Sequence, residues 1–170
     1  MKKEREFHTV RGYQLLGQNK TLLTSALEDY LEMIYRNDQG EGYIRINMIA
    51  ELLNVRSSSA TKMVQKLASM GLLNYEKYGI ISLTKKGKEI GEFLLKRHNI
   101  IEKFLKTIGV SEKLLVETEL IEHNVSLNTL NNISILNSFF EDNPDIFEIF
   151  IQYKDKMGDN RDSKCNDKHQ

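Results

Sequence analysis

One cysteine, one proline and no tryptophan stand among 170 residues. The cysteine, Cys165, lies in a polar C-terminal stretch, so no disulfide braces the fold and a reducing cytoplasm fits. There is no apolar run near the roughly 18 residues that a membrane helix needs, which excludes a helical membrane span. The opening "MKKEREFHTV" is charged and lacks an apolar segment after it, unlike a secretory signal. No phosphate-cradling glycine loop and no nucleophile paired with a base can be found, which argues against an enzyme. What remains is 40% hydrophobic and 28% charged, the composition of an ordinary globular chain.

Net charge is zero but unevenly spread. The stretch from Arg56 to Glu89 carries net +5, and that from Ser111 to Asp159 carries net −7. One half could meet a polyanion, the other could hold cations, and plain surface charge would also account for the asymmetry. Periodicity supplies the elements. A first helix begins near Ser25, where Ser25 and Glu28 have capping-box spacing, and carries the stripe Leu27, Leu31, Ile34. Asn47 suits the N-cap of a short helix, and a serine near 57 that of a second, with Gly71 placed to end it. In this second helix Ala60, Met63, Val64, Leu67 and Met70 share one side. Ser58, Thr61, Lys62, Gln65 and Ser69 share the other. "LLNYEKYGIISLT" reads as two strands around a turn at Tyr78-Gly79. That order is a winged helix-turn-helix, and its alternative is a small αβ unit with a solvated polar helix.

A long helix over about 85–108 follows, striped Ile90, Leu94, His98, Ile101, Leu105 and ended by Gly109. Three more helices, rich in Ile, Leu and Phe, show more apolar surface than they can bury alone, so a homodimer is expected. From Gly158 onward no apolar residue follows except Cys165, and disorder is expected there. In "ETELIEHNVS", Glu119, Glu122 and His123 fall at i, i+3, i+4 on one helical face, a spacing that lets metal ligands converge. His98 alone reads more readily as a hydrogen-bonded core histidine, and Glu119 and Glu122 as solvated glutamates. Asp29 and Glu32, opposite the first helix's stripe, read from spacing alone as a solvent face.

The blocks "SALEDYLEMIYR", "IAELLNVRSSSATKMVQKL", "GLLNYEKYGIISLTKKGKEI", "LLKRHNIIEKFL" and "ELIEHNVS" together resemble the diphtheria toxin repressor family of metal-dependent transcription regulators, most of all its manganese-responsive branch. The resemblance runs from about Leu23 to at least Phe140. It implies a mainly α fold: an N-terminal winged helix-turn-helix domain, then an all-helical metal-binding and dimerisation domain, with no SH3-like third domain. The boundaries expected are an arm over 1–23, the DNA-binding domain over 24–92, the helical domain over 93–157 and a tail over 158–170. It implies Asp29, Glu32, His98, Glu119, Glu122 and His123 as ligands of Mn²⁺, two ions per subunit, with Glu119 and Glu122 bridging. The iron-responsive branch has methionine and cysteine where Asp29 and Glu119 stand, and hard oxygen donors suit Mn²⁺, although Fe²⁺ or another divalent ion could also bind. One departure lies before the recognition helix, where Ser57 stands in place of a frequent proline.

The DNA contacts expected are Arg56, Ser57, Ser58, Ser59, Thr61, Lys62, Gln65 and Lys66, with Lys77 and Tyr78 in the wing. Gln65 could read adenine, while Lys62, Lys66 and Lys77 meet phosphates. A dimer predicts a roughly palindromic operator in double-stranded DNA, and no membrane partner. Bound metal would order the dimer and act as corepressor, with metal-uptake genes as the family's expected target. Three other readings compete, and one of them, a metal buffer with no DNA role, is opposed by the basic recognition helix. A carboxylate di-iron enzyme uses Glu-x-x-His pairs, but Leu95 and Leu120 stand three residues before His98 and His123. A winged-helix regulator sensing a small organic ligand would leave the carboxylates structural.

Overall fold

The computed structural model describes residues 23–38 and 42–166, apart from the side chains of Lys77 and of 158–166. The expected N-terminal arm therefore lies outside the described residues, except for Leu23. Helix α1 spans Ser25–Asn37 and buries Leu27, Leu31 and Ile34. Its N-cap is Thr24 with no side-chain cap bond, so Ser25 and Glu28 do not form the expected capping box. Glu28 is turned inward instead, to partners described below.

Strand β1, Ile44–Arg45, runs directly into α2, Ile46–Leu52. The sequence reading missed β1, because two residues show no alternation. It also misplaced the cap: Arg45 holds the N-cap position and Asn47 lies inside α2. The Asn47 Oδ1 instead accepts from Ser57 Oγ at 3.3 Å, tying α2 to the next helix. Helix α3 spans Ser57–Ser69, with Ala60, Val64 and Leu67 fully buried. Arg56 is its N-cap and Ser57 its first helical residue, so Ser57 does not cap. The first helical position is one where proline is tolerated, which accounts for the family's preference there. Gly71 takes a positive φ of 72° after the last turn and ends the helix as expected.

Strands β2, Leu73–Tyr75, and β3, Ile80–Leu83, form an antiparallel hairpin with Tyr75 opposite Ile81. Both Tyr78 and Gly79 have positive φ, which turns the chain sharply where the sequence places the turn. β1 pairs with β3, giving a three-stranded sheet of order β1-β3-β2. Helix α4, Lys85–Thr107, is N-capped by Thr84, whose Oγ1 accepts from the Gly87 amide at 3.0 Å. Its predicted stripe is buried throughout, and Gly109, at φ 89°, ends it.

Three helices complete the chain: α5 Leu114–Glu122, α6 Leu127–Asp142 and α7 Pro144–Asn166. The backbone of α7 continues through the 158–166 stretch where disorder was expected, and residues 167–170 lie outside the description. Helix α4 is the axis of the molecule. It packs on α1 along one side and on α5 and α6 along another. Gly91 permits the α1 approach, since a Cβ there would sit 2.6 Å from Tyr35 Cβ. On the other side, Asn137 Nδ2 donates to the Ile100 carbonyl at 3.0 Å, and Lys103 pairs with Glu141.

Candidate metal centre and nucleic-acid interface

Where α1, α4 and α5 meet, five of the six expected ligands converge in two triads. Asp29, Glu122 and His123 form one; Glu32, His98 and Glu122 form the other, and within each the donor atoms lie within 4.8 Å of one another. Glu122 belongs to both. Its side chain is 2% exposed, and its Oε2 lies 3.1 Å from His98 Nδ1 while its Oε1 lies 3.8 Å from His123 Nε2. Glu32 and His98 are buried, with Glu32 Oε1 3.9 Å from His98 Nδ1. The Asp29 Oδ1 approaches His123 Nε2 at 3.1 Å and remains partly open to solvent. Glu119 is not brought in: it lies exposed on α5, outside both triads.

Three neighbours, Glu28, Arg97 and Arg36, were not foreseen as part of the site. Glu28 Oε2 lies 2.8 Å from His123 Nδ1 and accepts from Arg97 Nη2 at 2.8 Å. Arg36 Nη2 donates to Glu32 Oε1 at 2.6 Å. One signal for Arg97 was available. It sits three residues after Leu94 and four before Ile101, a buried place in the α4 stripe where a guanidinium needs a partner. For Glu28 the capping spacing pointed elsewhere.

The electrostatics follow from these contacts. His123 is pushed up to about 9 by hydrogen bonds to Asp29 and then Glu28, against the opposing effect of burial. The His98 imidazole is also raised, chiefly by its hydrogen bond to Glu122. Burial raises Glu32, and the Glu122 carboxylate beside it adds to this. Burial would likewise raise Glu28, but the hydrogen bond from His123 and the charge of Arg97 outweigh it, leaving the carboxyl lowered. Carboxylate density is thus compensated by imidazole and guanidinium groups. The donor set fits a hard divalent ion, since each triad offers two carboxylates and one imidazole and no thiolate enters.

The second surface lies on α3. Arg56, Ser57, Ser58, Ser59, Lys62, Gln65 and Lys66 are all exposed. Thr61 is half-buried and its hydroxyl donates to the Ser57 carbonyl at 2.8 Å, so it is less free to reach a base than the sequence suggests. Tyr78 stands 93% exposed at the tip of the hairpin. The Lys77 side chain lies outside the described residues.

A winged module joined through one long helix to a helical unit carrying paired hard-donor triads defines a metal-dependent transcription regulator rather than an enzyme. Comparison with known proteins agrees. Residues 22–81 match the iron dependent repressor N-terminal DNA binding domain, and residues 84–151 its metal binding and dimerisation domain. The HTH-type transcriptional regulator MntR of Bacillus subtilis (strain 168) is 47% identical over 122 residues, covering 71% of this chain and 86% of that protein. MntR of Lysinibacillus sphaericus (strain C3-41) is 46% identical over 124 residues, covering 72% and 89%. Among solved structures, the manganese regulator SloR superposes with a TM-score of 0.59 at 30% identity, over 66% of this chain and 54% of that one. A manganese-dependent transcriptional repressor in complex with manganese superposes with a TM-score of 0.60 at 28% identity, over 66% and 53%. The chain spans about half the length of these two solved structures. It belongs to the iron dependent repressor family, which is the diphtheria toxin repressor family of the sequence resemblance, in its manganese-responsive MntR branch.

Proposed function

We propose that the chain is a manganese-dependent DNA-binding repressor in which two Mn²⁺ ions per subunit fix α1 against α4 and α5. The observation that carries this is Glu122, shared by two triads that each take one carboxylate from α1 of the winged module. Asp29, Glu122 and His123 hold one ion; Glu32, His98 and Glu122 hold the other. Glu119, one turn before His123 on the same helical face, joins by a change of rotamer. The ions supply positive charge that holds carboxylates of separate elements together.

The consequence reaches the DNA through α1. Helix α3 packs on α1, so fixing α1 fixes the recognition helix relative to the dimerising helices. In a homodimer both recognition helices then hold one separation, suited to a palindromic operator. Ordering them before DNA arrives lowers the cost of engaging both half-sites. Gln65 contacts a base edge, and Lys62, Lys66 and Lys77 contact phosphates, with Arg56, the serines 57 to 59, Thr61 and Tyr78 completing the surface. Genes for metal uptake, a cytoplasmic location and Mn²⁺ over Fe²⁺ as the physiological ion are part of this reading.

The test is fluorescence anisotropy of labelled DNA from upstream of this chain's own gene and of linked transporter genes, at one fixed salt concentration. Added Mn²⁺ should tighten binding at least about tenfold over EDTA, or roughly 1.4 kcal/mol of coupling. Strong binding indifferent to Mn²⁺ would sink the metal switch while leaving the DNA reading in place.

A further inference from the structure

We propose that Glu28 is a positioning residue of the metal centre: by accepting the Nδ1–H of His123 it turns the Nε2 lone pair toward the cation, while Arg97 holds Glu28 in place. This rests on the metal reading above and goes beyond its ligand set. The argument begins with the two nitrogens of one ring. His123 Nδ1 lies 2.8 Å from Glu28 Oε2, whereas Nε2 lies 3.1 Å from Asp29 Oδ1 and 3.8 Å from Glu122 Oε1. Nε2 therefore faces the donor side and Nδ1 faces away. A neutral imidazole can ligate through only one nitrogen, and the hydrogen bond made by the other decides which.

Arg97 completes the arrangement. Its Nη2 donates to the same Glu28 Oε2 at 2.8 Å and lies 3.3 Å from His123 Nδ1. Two N–H donors do not bond one another, so both point at the shared carboxylate oxygen. Glu28 and Arg97 are buried, at 9% and 4% exposure. A buried ion pair is weak evidence for stability, since apolar replacements of similar size often do as well or better. Beside a ligating imidazole, though, it has work to do. The layout repeats on each helix: α1 supplies Glu28 to orient and Asp29 to ligate, and α4 supplies Arg97 to orient and His98 to ligate.

The competing account makes Glu28–Arg97 only a tie between α1 and α4. A double variant separates the two. Glu28→Leu with Arg97→Met keeps the volume and removes both charges together. Mn²⁺ uptake by the full-length dimer would be followed through the electron paramagnetic resonance signal of free Mn²⁺, with melting in EDTA measured in parallel. The orienting role predicts a 10- to 100-fold loss of affinity at one of the two sites, with the melting temperature in EDTA held or raised. Wild-type affinity in a folded double variant overturns it. A second measurement needs no variant. In wild-type protein loaded with diamagnetic Cd²⁺, nitrogen NMR should show His123 protonated at Nδ1 and metal-bound at Nε2, and the reverse assignment also overturns the proposal. If wild-type protein takes up no Mn²⁺ at all, the metal reading itself fails, and this inference with it.

Discussion

His123 stands between Glu28 and Asp29, 2.8 Å from one and 3.1 Å from the other, and on the proposed ligand set that position would couple metal uptake to loss of a proton. With its pKa pushed up to about 9, the ring carries both protons at neutral pH, and a cation needs the Nε2 lone pair. Mn²⁺ must expel that proton, so apparent affinity should climb with pH, by up to about tenfold per unit, until pH reaches about 9. Calorimetry in two buffers of different ionisation enthalpy should show the released proton. In EDTA the sign reverses. A raised histidine pKa stabilises the folded chain fully below the unfolded value of about 6.5, and that contribution disappears as pH rises through about 9. His98 shifts in the same direction. The melting temperature should therefore fall over this window in EDTA and not in excess Mn²⁺, and parallel slopes would contradict the ring's assigned contacts. Glu119 supplies a second test at this scale. Glu119→Ala should cost about tenfold in Mn²⁺ affinity if its rotamer swings in, whereas Glu122→Ala should abolish both sites, since both triads share it. Unchanged affinity in Glu119→Ala would remove that residue from the ligand set. Spacing alone could not tell these two glutamates apart: both lie on the face of His123, and only the packing of α5 against α4 buries one and leaves the other in solvent. Asp29 and Glu32 were similarly opaque, because a face opposite an apolar stripe reads as solvent until a second helix covers it.

The long helix α4 was the most legible element. Its stripe of Ile90, Leu94, His98, Ile101 and Leu105 is buried along its length, and its end at Gly109 follows from the positive φ there. The hairpin turn and the end of α3 were readable for the same reason, since a glycine marks each. Strand β1 was not, being two residues held only by pairing with β3. The capping signals failed for a related cause: a strand runs straight into α2, and the Asn47 and Ser57 side chains bond each other across the turn instead of capping their own helices. The approach of α1 to α4 is the element-level feature on which the metal centre depends, because it sets how far Asp29 and Glu32 lie from His98. Gly91 sits at that approach, where an added methyl would fall 2.6 Å from Tyr35 Cβ and 2.8 Å from Tyr35 Cγ. Gly91→Ala should cost about 1–3 kcal/mol by overpacking, read as a lowered urea midpoint. It should also weaken Mn²⁺ binding, since α1 must move outward while α5 stays on the other side of α4. Weakened folding with metal affinity intact would show that the triads tolerate the displacement.

At the scale of the whole molecule, the helical unit carries large apolar side chains that stand exposed among the described residues. Leu120 on α5, Ile135 and Phe139 on α6, and Ile149 and Tyr153 on α7 are all exposed, Ile135 and Ile149 by about two-thirds. They lie within the region matching the metal binding and dimerisation domain, so a second copy is the expected cover. Both triads are built from a single chain, whereas a palindromic operator needs two recognition helices. Metal binding and operator binding should therefore separate on losing the dimer. Placing charge at these positions, as in Ile135→Glu with Ile149→Glu, should give a monomer by sedimentation at micromolar concentration. That monomer should keep both Mn²⁺ sites within a few-fold. Its affinity for a single half-site should match that of the parent chain at the same salt. For the full operator it should lose the gain from tethering two modules, about 10²- to 10⁴-fold. If the variant is monomeric but grips the full operator as tightly as before, each subunit acts alone and the metal cannot work by setting the distance between recognition helices. If the monomer loses its Mn²⁺ as well, the triads depend on the partner, and the single-chain geometry of Glu122 is not enough to hold the ions.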